Sequence, residues 1–229
     1  MSDESVKCSK CGVFACIKNK HLNAPKFCPM NTREDVLDEA LKQYFDPDDQ
    51  KMMSAAACTV INGIKNSWIR IEDVINFARE MGYKKLGVAT CIALISESRI
   101  LTEILEVKGF KVKSVCCKAG SNFEGDVGLH GIDFKQGFEP ANTVNLNSDG
   151  QTDILLCNPI GQAFLLNSEK TDLNILLGLC TGHDALFIKY SEAPVTPLIV
   201  KDRQTLHNPA AVLYGSNHFF KRLMKPEME

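Results

Sequence analysis

Four cysteines crowd the N-terminal part of this chain at a spacing that suits a metal ion. They are Cys8, Cys11, Cys16 and Cys28, with two, four and eleven residues between successive members. Two cysteines separated by two residues can turn both sulfurs toward one ion, and two further thiolates complete a tetrahedral set. Because tetrahedral sulfur ligands suit zinc and iron–sulfur clusters alike, the spacing predicts a metal centre without choosing the metal.

The segment that carries these cysteines, residues 1–31, shows little hydrophobic periodicity. We predict that it is a cysteine-rich metal-binding module, because a segment without a core of its own depends on a metal for its fold. His21 is an alternative ligand that could replace one cysteine, or else a solvated loop residue. The alternative for the whole set is four unrelated reduced thiols, which the scarcity of apolar residues disfavours.

A second group of cysteines follows predicted strands or precedes predicted helices: Cys91, Cys117, Cys157 and Cys180. Ligands collect beyond the carboxyl ends of parallel strands, and helix N-termini favour thiolates. We therefore expect these sulfurs to share a second metal or active site, with His183 and His207 nearby. The alternative is that each cysteine is a small buried hydrophobe, and that His183 only caps a helix.

Two further cysteines are expected to stay outside this site. Cys116 and Cys117 point to opposite faces of a strand, so only one can reach the site, and Cys117 lies next to the loop. Cys58 stands in an alanine-rich helical stretch and is expected in the core. The cations Lys118, Lys201 and Arg203 follow the same predicted strands and would stabilise clustered thiolates.

Two zones must position these residues. Residues 32–83 place apolar side chains on one face at helical spacing, so we predict a helical segment. Residues 84–229 alternate between short apolar runs and helical patterns, which predicts the α/β class with a Rossmann-like parallel sheet covered on both faces. The expected strands are 85–90, 111–117, 173–179 and 197–201, and the expected helices are 92–108, 159–167, 183–190 and 208–223. Residues 119–152 are expected to form an irregular excursion with a short hairpin.

The composition limits the kinds of partner that the protein can bind and the cellular compartment in which it is expected. The net charge of −2 offers no basic face for a nucleic acid. No apolar run reaches the roughly 20 residues that span a bilayer, so no membrane partner is expected. Met1 is followed by polar residues rather than by an apolar signal segment. We therefore expect a cytoplasmic protein, whose reduced thiols serve metals or chemistry rather than disulfides.

The N-terminal spacing resembles the cysteine run that holds a 4Fe–4S cluster near the N-terminus of nickel–iron carbon monoxide dehydrogenases. In those enzymes, too, a helical zone precedes Rossmann-like domains whose strand ends carry the cysteines of a second cluster. The resemblance covers spacing and layout, in a much shorter chain. It implies a 4Fe–4S iron–sulfur cluster as the cofactor, with zinc as the alternative.

A second resemblance covers most of the chain. The segments that carry it include Cys157-Asn158-Pro159-Ile160-Gly161, Leu179-Cys180-Thr181-Gly182-His183-Asp184, Val200-Lys201-Asp202-Arg203 and His207-Asn208-Pro209. In these segments the sequence is similar to a family of uncharacterised, small, cysteine-rich proteins of anaerobic bacteria and archaea that are labelled as metal-binding. The resemblance implies metal binding and an anaerobic setting, and no particular reaction. Cys116 and residues 122–152 depart from the family pattern.

Two functions follow from these features. The first is an iron–sulfur protein in redox or sulfur-related chemistry, with the N-terminal centre as an electron conduit and an electron-transfer protein as the partner. The second is a non-catalytic zinc-binding or metal-assembly protein, in which the N-terminal module is structural.

Overall fold

The computed structural model describes residues 6–18, 23–129, 144–146 and 152–226. The chain divides into two compact units, Met1–Asn66 and Ser67–Glu229. His21, the alternative N-terminal ligand, lies outside the described residues, as do parts of the predicted excursion.

The first unit is helical beyond its cysteine-rich start. Its helices are α1 (Pro29–Thr32), α2 (Glu34–Gln43) and α3 (Pro47–Asn66). Asp46 caps α3, because its carboxylate accepts hydrogen bonds from the backbone N–H groups of Asp48 and Asp49 at 2.9 and 3.2 Å. Glu34 and Asp35 place negative charge in the first turn of α2, where the helix dipole favours it.

The second unit alternates between helices and strands. In chain order its elements are α4 (Arg70–Met81), β1 (Lys85–Thr90), α5 (Ile95–Val107), β2 (Lys111–Cys116), β3 (Val144–Leu146), β4 (Thr152–Ile154), α6 (Pro159–Ser168), β5 (Leu173–Leu177), α7 (His183–Tyr190), β6 (Val195–Ile199) and α8 (Ala210–Tyr214). None of the described helices is long and apolar enough to cross a membrane.

A parallel sheet organises this unit. In the described residues it has four strands in the order β2-β1-β5-β6, and each pairing within it is parallel. Helix α5 makes the crossover from β1 to β2, which parallel neighbours require. The prediction of an α/β protein with a Rossmann-like parallel sheet is therefore confirmed. A separate antiparallel pair of β3 and β4 begins within the predicted excursion, and β4 extends two residues beyond it.

Apolar side chains cover both faces of the sheet. On one face, Leu86 of β1 packs in a buried cluster with Ile75 of α4 and Leu105 of α5. On the other face, Ala89 of β1 shares a cluster with Leu166 of α6. A fully buried leucine contributes about 1.5–3 kcal/mol relative to an exposed one. These two clusters hold the strands rigidly, so the strand ends present their side chains from fixed positions.

Some boundaries differ from the sequence prediction, for local reasons. Strand β6 begins and ends two residues earlier than expected; it is an edge strand that contains Pro197, and its register with β5 shifts between Leu176 and Leu177. Helix α8 is much shorter than the predicted 208–223 and ends at Gly215. Helix α4 ends at Gly82, whose φ of +78° suits a residue without a side chain.

Candidate cysteine sites

The four N-terminal cysteines surround one small cavity of about 140 Å³. Its lining consists of Cys8, Cys11, Cys16 and Cys28 together with Phe14, Ala15, Pro25, Phe27 and Pro29. The structure therefore brings all four predicted N-terminal ligands to one place. Four thiols around an apolar pocket are the donor set that zinc and iron–sulfur clusters take, so the types of residue present suit either metal group.

Two short turns position these thiols. Cys8 begins a 3₁₀ turn, and the backbone N–H of Cys11 donates to the carbonyl oxygen of Cys8 at 3.0 Å. Cys28 immediately precedes α1, whose first residue is Pro29. In the described part of residues 1–31 the only buried apolar residue is Ala15, at 3% exposure. The local hydrophobic contribution to the fold of this segment is therefore small.

The second group of cysteines lies where the sheet ladder continues past its strands. The backbone N–H of Cys117, just after β2, donates to Thr90 of β1 at 2.9 Å. The N–H of Cys91, just after β1, donates to Leu177 of β5 at 3.2 Å. Because these hydrogen bonds keep the strand ends aligned, Cys91 and Cys117 start from one edge of the sheet.

Cys157 reaches this edge by a different route. The backbone N–H of Asn158 donates to the carbonyl oxygen of Cys117 at 2.7 Å, which fastens the start of α6 beside the end of β2. The Asn158 side chain caps α6 by accepting from the Gly161 N–H at 2.8 Å, and it donates to the Ala119 carbonyl at 3.1 Å. As a result, the sulfur of Cys157 lies 3.6 Å from that of Cys117.

The sulfurs form a hydrogen-bonded chain that backbone amides extend. Cys91 hydrogen-bonds to Cys117, which in turn hydrogen-bonds to Cys157. The N–H of Ile92 donates to the Cys117 sulfur at 3.3 Å. A further hydrogen bond links the Cys91 sulfur to the backbone of Ala93. Both amides belong to the 3₁₀ turn that precedes α5, where unpaired N–H groups favour sulfur lone pairs.

Two cations contact the thiols, and a third lies near them. Lys201 places its Nζ 3.4 Å from the sulfur of Cys91. Arg203 places Nη2 3.1 Å from the sulfur of Cys180, which lies in the loop between β5 and α7. Lys118 acts electrostatically on Cys157 while its Nζ donates to the Leu155 carbonyl at 2.7 Å. These three cations favour thiolates at the strand edge.

The hydrogen-bonded chain gives the three thiols different pKa values. The hydrogen bond from Cys117, helped by the charge of Lys118, lowers the pKa of Cys157 to about 7. The same hydrogen bond, together with burial, raises the pKa of Cys117 to about 11. The hydrogen bond to Cys117 and burial also raise the pKa of Cys91. Cys157 is therefore the thiol that loses its proton most readily, and Cys91 and Cys117 stay protonated behind it.

The thiols and histidines are not arranged as a finished coordination sphere. Within the described parts of the chain, no group of three or more His, Cys, Asp and Glu side chains stands at the geometry of a bound metal ion. At the strand edge the sulfurs instead satisfy one another through hydrogen bonds. Side-chain rotation would be needed to bring four of them onto one centre.

The two predicted histidines have local roles. His183 begins α7, and its backbone N–H donates to the Cys180 carbonyl at 2.9 Å. His207 closes the loop after β6: its Nδ1 accepts from the Asp202 N–H at 3.1 Å, and its φ is +65°. His207 thus holds the loop that carries Arg203, and its Nδ1 is already engaged.

Cys116, Cys58 and the buried Gln162 lie outside the chain of hydrogen-bonded thiols. Cys116 is half-buried on the strand next to Cys117. Cys58 is exposed on α3, so its predicted place in the core is wrong. Gln162, a residue that the sequence reasoning missed, is fully buried and donates through Nε2 to the carbonyls of Thr90 at 3.1 Å and Val115 at 2.7 Å. The available signal was one amide in the otherwise apolar stretch 159–166 of α6.

These features define an α/β protein with a Rossmann-like sheet and cysteines gathered at the carboxyl ends of its strands. The family model described as "Protein of unknown function (DUF1847)" matches residues 28–198, and the chain belongs to this family. The match includes Cys28 and the whole second group of cysteines. The chain is also 37% identical over 220 residues to an uncharacterized protein of Methanocaldococcus jannaschii, covering 96% of this chain and 99% of that protein.

Proposed function

We propose that this chain is an iron–sulfur protein that carries out redox or sulfur-related chemistry. Cys8, Cys11, Cys16 and Cys28 would hold a 4Fe–4S cluster, and the strand-edge thiols would form the reactive site. The observation that carries the proposal is the cavity on which all four N-terminal cysteines converge. A cluster bound there would supply one-electron transfer, with an electron-transfer protein as the partner.

The residues of the strand edge support the second half of this proposal. Amides of the turn after Cys91 and the nearby cations stabilise negative charge on sulfur. The raised pKa of Cys117 keeps it protonated as a hydrogen-bond donor beside Cys157. Such a site binds and holds an anionic sulfur species, which is what sulfur transfer and disulfide chemistry require.

A structural zinc ion in the N-terminal module is the second candidate. It is favoured by the near absence of buried apolar side chains around the four thiols, because a segment of this kind needs a metal to fold. In that case the protein would be a non-catalytic zinc-binding or metal-assembly protein. The same four cysteines would serve as ligands, so mutagenesis alone does not separate the two metals.

Anaerobic purification separates them. We expect a brown protein whose visible absorbance bleaches on reduction, with iron and acid-labile sulfide present in equal amounts and little zinc. A colourless protein that contains one equivalent of zinc and no sulfide would refute the iron–sulfur proposal and favour the second candidate. The Cys58→Ser variant is the matched control, because Cys58 is an exposed thiol of the same unit outside the cavity.

A further inference from the structure

Two thiols at the strand edge are adjacent yet differ in accessibility. The sulfurs of Cys117 and Cys157 are 3.6 Å apart, although the residues are separated by forty positions in the chain. Cys117 is 2% exposed, whereas Cys157 is only half-buried. A solute can therefore meet Cys157 first, and the buried Cys117 is within reach to react second.

We propose that Cys157 and Cys117 form a redox-active dithiol that reduces small anionic disulfides by thiol–disulfide exchange. This inference names the substrate class of the strand-edge site and rests on the sulfur chemistry proposed above. It does not depend on which metal the N-terminal cysteines hold. Cys157 is the attacking thiol and Cys117 the resolving thiol.

The exchange balances without another reactant. The Cys157 thiolate attacks one sulfur of the substrate disulfide, the substrate S–S bond breaks, and the first substrate thiol leaves with a proton from solvent. Cys117 then gives up its proton and attacks the Cys157 sulfur, which releases the second substrate thiol. Two protein thiols have lost two electrons to form one disulfide, and one substrate disulfide has become two thiols.

The cations around the pair select the charge of the substrate. Lys118 directly follows Cys117 in the chain, and Arg203 is exposed beside Cys180. Lys201 contributes a third positive charge at Cys91. Carboxylates on a substrate would be attracted to this edge, and ammonium groups would be repelled. The predicted substrate is therefore a low-molecular-weight disulfide that carries negative charge.

The backbone around the pair favours the resolving step. The N–H of Asn158 donates to the Cys117 carbonyl oxygen at 2.7 Å, and this backbone hydrogen bond keeps residues 117 and 158 adjacent. The Ile92 N–H, 3.3 Å from the Cys117 sulfur, stabilises negative charge there as Cys117 loses its proton. Cys91 is the next thiol along the chain of hydrogen bonds.

The test uses the full-length protein, fully reduced and freed of reductant under anaerobic conditions. Glutathione disulfide, which is anionic, and cystamine, a cationic disulfide, are the two probes. We expect a cross-linked peptide pair that contains Cys117 and Cys157, formed faster with glutathione disulfide than with cystamine. Oxidation that leaves this pair as free thiols, or a faster reaction with cystamine, would overturn the proposal.

Three variants assign the roles. Cys117→Ser should accumulate a mixed disulfide on Cys157 that the native protein does not retain. Cys157→Ser should form neither the cross-link nor a mixed disulfide at position 117, because the accessible thiol that attacks the substrate is gone and Cys117 is buried. Cys116→Ser is the matched control and should keep the cross-link. A cross-link that disappears in Cys116→Ser and persists in Cys117→Ser would overturn the assignment.

The test does not require that the serine variants fold, and it does not depend on the N-terminal metal. The cross-link in the native protein tests the pair even where a serine variant does not fold. Metal content measured on the same preparation reports the N-terminal centre separately, so metal without a cross-link overturns only this inference. The inference would also be overturned if both thiols resisted oxidation until a chelator was added, because the pair would then be ligands of a metal.

Discussion

Lys201 contacts Cys91 across the sheet edge, with its Nζ 3.4 Å from the sulfur. The two residues follow β6 and β1, and β5 lies between those strands in the sheet. A lysine beyond one strand therefore places its positive charge beside a thiol two strands away. This cation–sulfur contact joins the C-terminal loop to the cysteine site and places positive charge where three thiols share protons.

The first prediction concerns the pH dependence of Cys157. In the metal-free protein, alkylation of Cys157 by iodoacetamide should reach half its maximal rate near its pKa of about 7. Only the thiolate reacts, so the rate should rise as pH increases through this value and fall below it. Cys117, with its pKa raised to about 11, should remain unmodified at neutral pH. Mass spectrometry of labelled peptides measures both rates.

Lys118 gives the matched variant for this measurement. Lys118→Met removes the charge that helps to lower the pKa of Cys157, so its half-maximal rate should move to higher pH. Lys189→Met, on α7, is a control that removes one positive charge from the same unit. A Cys157 rate that still climbs above about pH 9 in the native protein would contradict the lowered pKa.

The second prediction concerns the N-terminal metal. Cys11→Ser or Cys16→Ser should abolish metal binding at the N-terminal module, because three thiolates leave the centre open to solvent. The second unit has its own buried clusters and should unfold at an unchanged temperature. Elemental analysis and circular dichroism measure the two effects. Full metal stoichiometry in both variants would refute a shared four-cysteine centre.

The third prediction concerns Gly178, which directly follows β5. Its φ is +66°, and an added Cβ would collide with Cδ1 of Leu94. Gly178→Ala should therefore lower the free energy of unfolding by about 1–3 kcal/mol, measured by urea denaturation. Gly125→Ala is the control, since its added Cβ would meet no atom within 4 Å. Equal losses in both variants would show that the Leu94 contact does not matter.

The fourth prediction concerns the buried amide of Gln162. It joins the carbonyls at the ends of β1 and β2, so Gln162→Leu leaves two buried acceptors without this donor. We expect a loss of roughly 1–3 kcal/mol in the free energy of unfolding. The exposed Gln204→Leu should have little effect. If the two variants unfold at the same urea concentration, the bridge contributes nothing to stability.

The sequence predicts the positions of Cys91, Cys117 and Cys180 because strand and helix patterns alternate regularly along the chain. A cysteine just after a parallel strand must start from the carboxyl edge of the sheet. Cys157 is predicted only from the helix that follows it, and its close approach to Cys117 has no signal in the sequence. It depends on the hydrogen bond between Asn158 and Cys117, which joins residues on either side of the predicted excursion.

Other differences between the sequence predictions and the structure also arise from contacts between residues far apart in the chain. Cys58 has a helical neighbourhood in the sequence, and that pattern alone does not say which side of α3 meets a partner. Gln162 appears as one polar residue in the apolar stretch 159–166 of α6, and only the fold shows that it bridges two strand ends. Helical periodicity likewise overestimates α8, where Gly215 ends the helix.

The hydrogen bond between Asn158 and Cys117 also joins the two places where the chain enters and leaves the predicted excursion. Next to it, the Leu156 N–H donates to the Asn122 carbonyl at 2.9 Å, and Phe123 pairs with Leu155 in an antiparallel bridge. This stem fixes both ends of the intervening segment, independently of its length. The segment beyond the stem is therefore an insertion point: a foreign peptide or a reporter domain could be grafted there while the two thiols remain side by side.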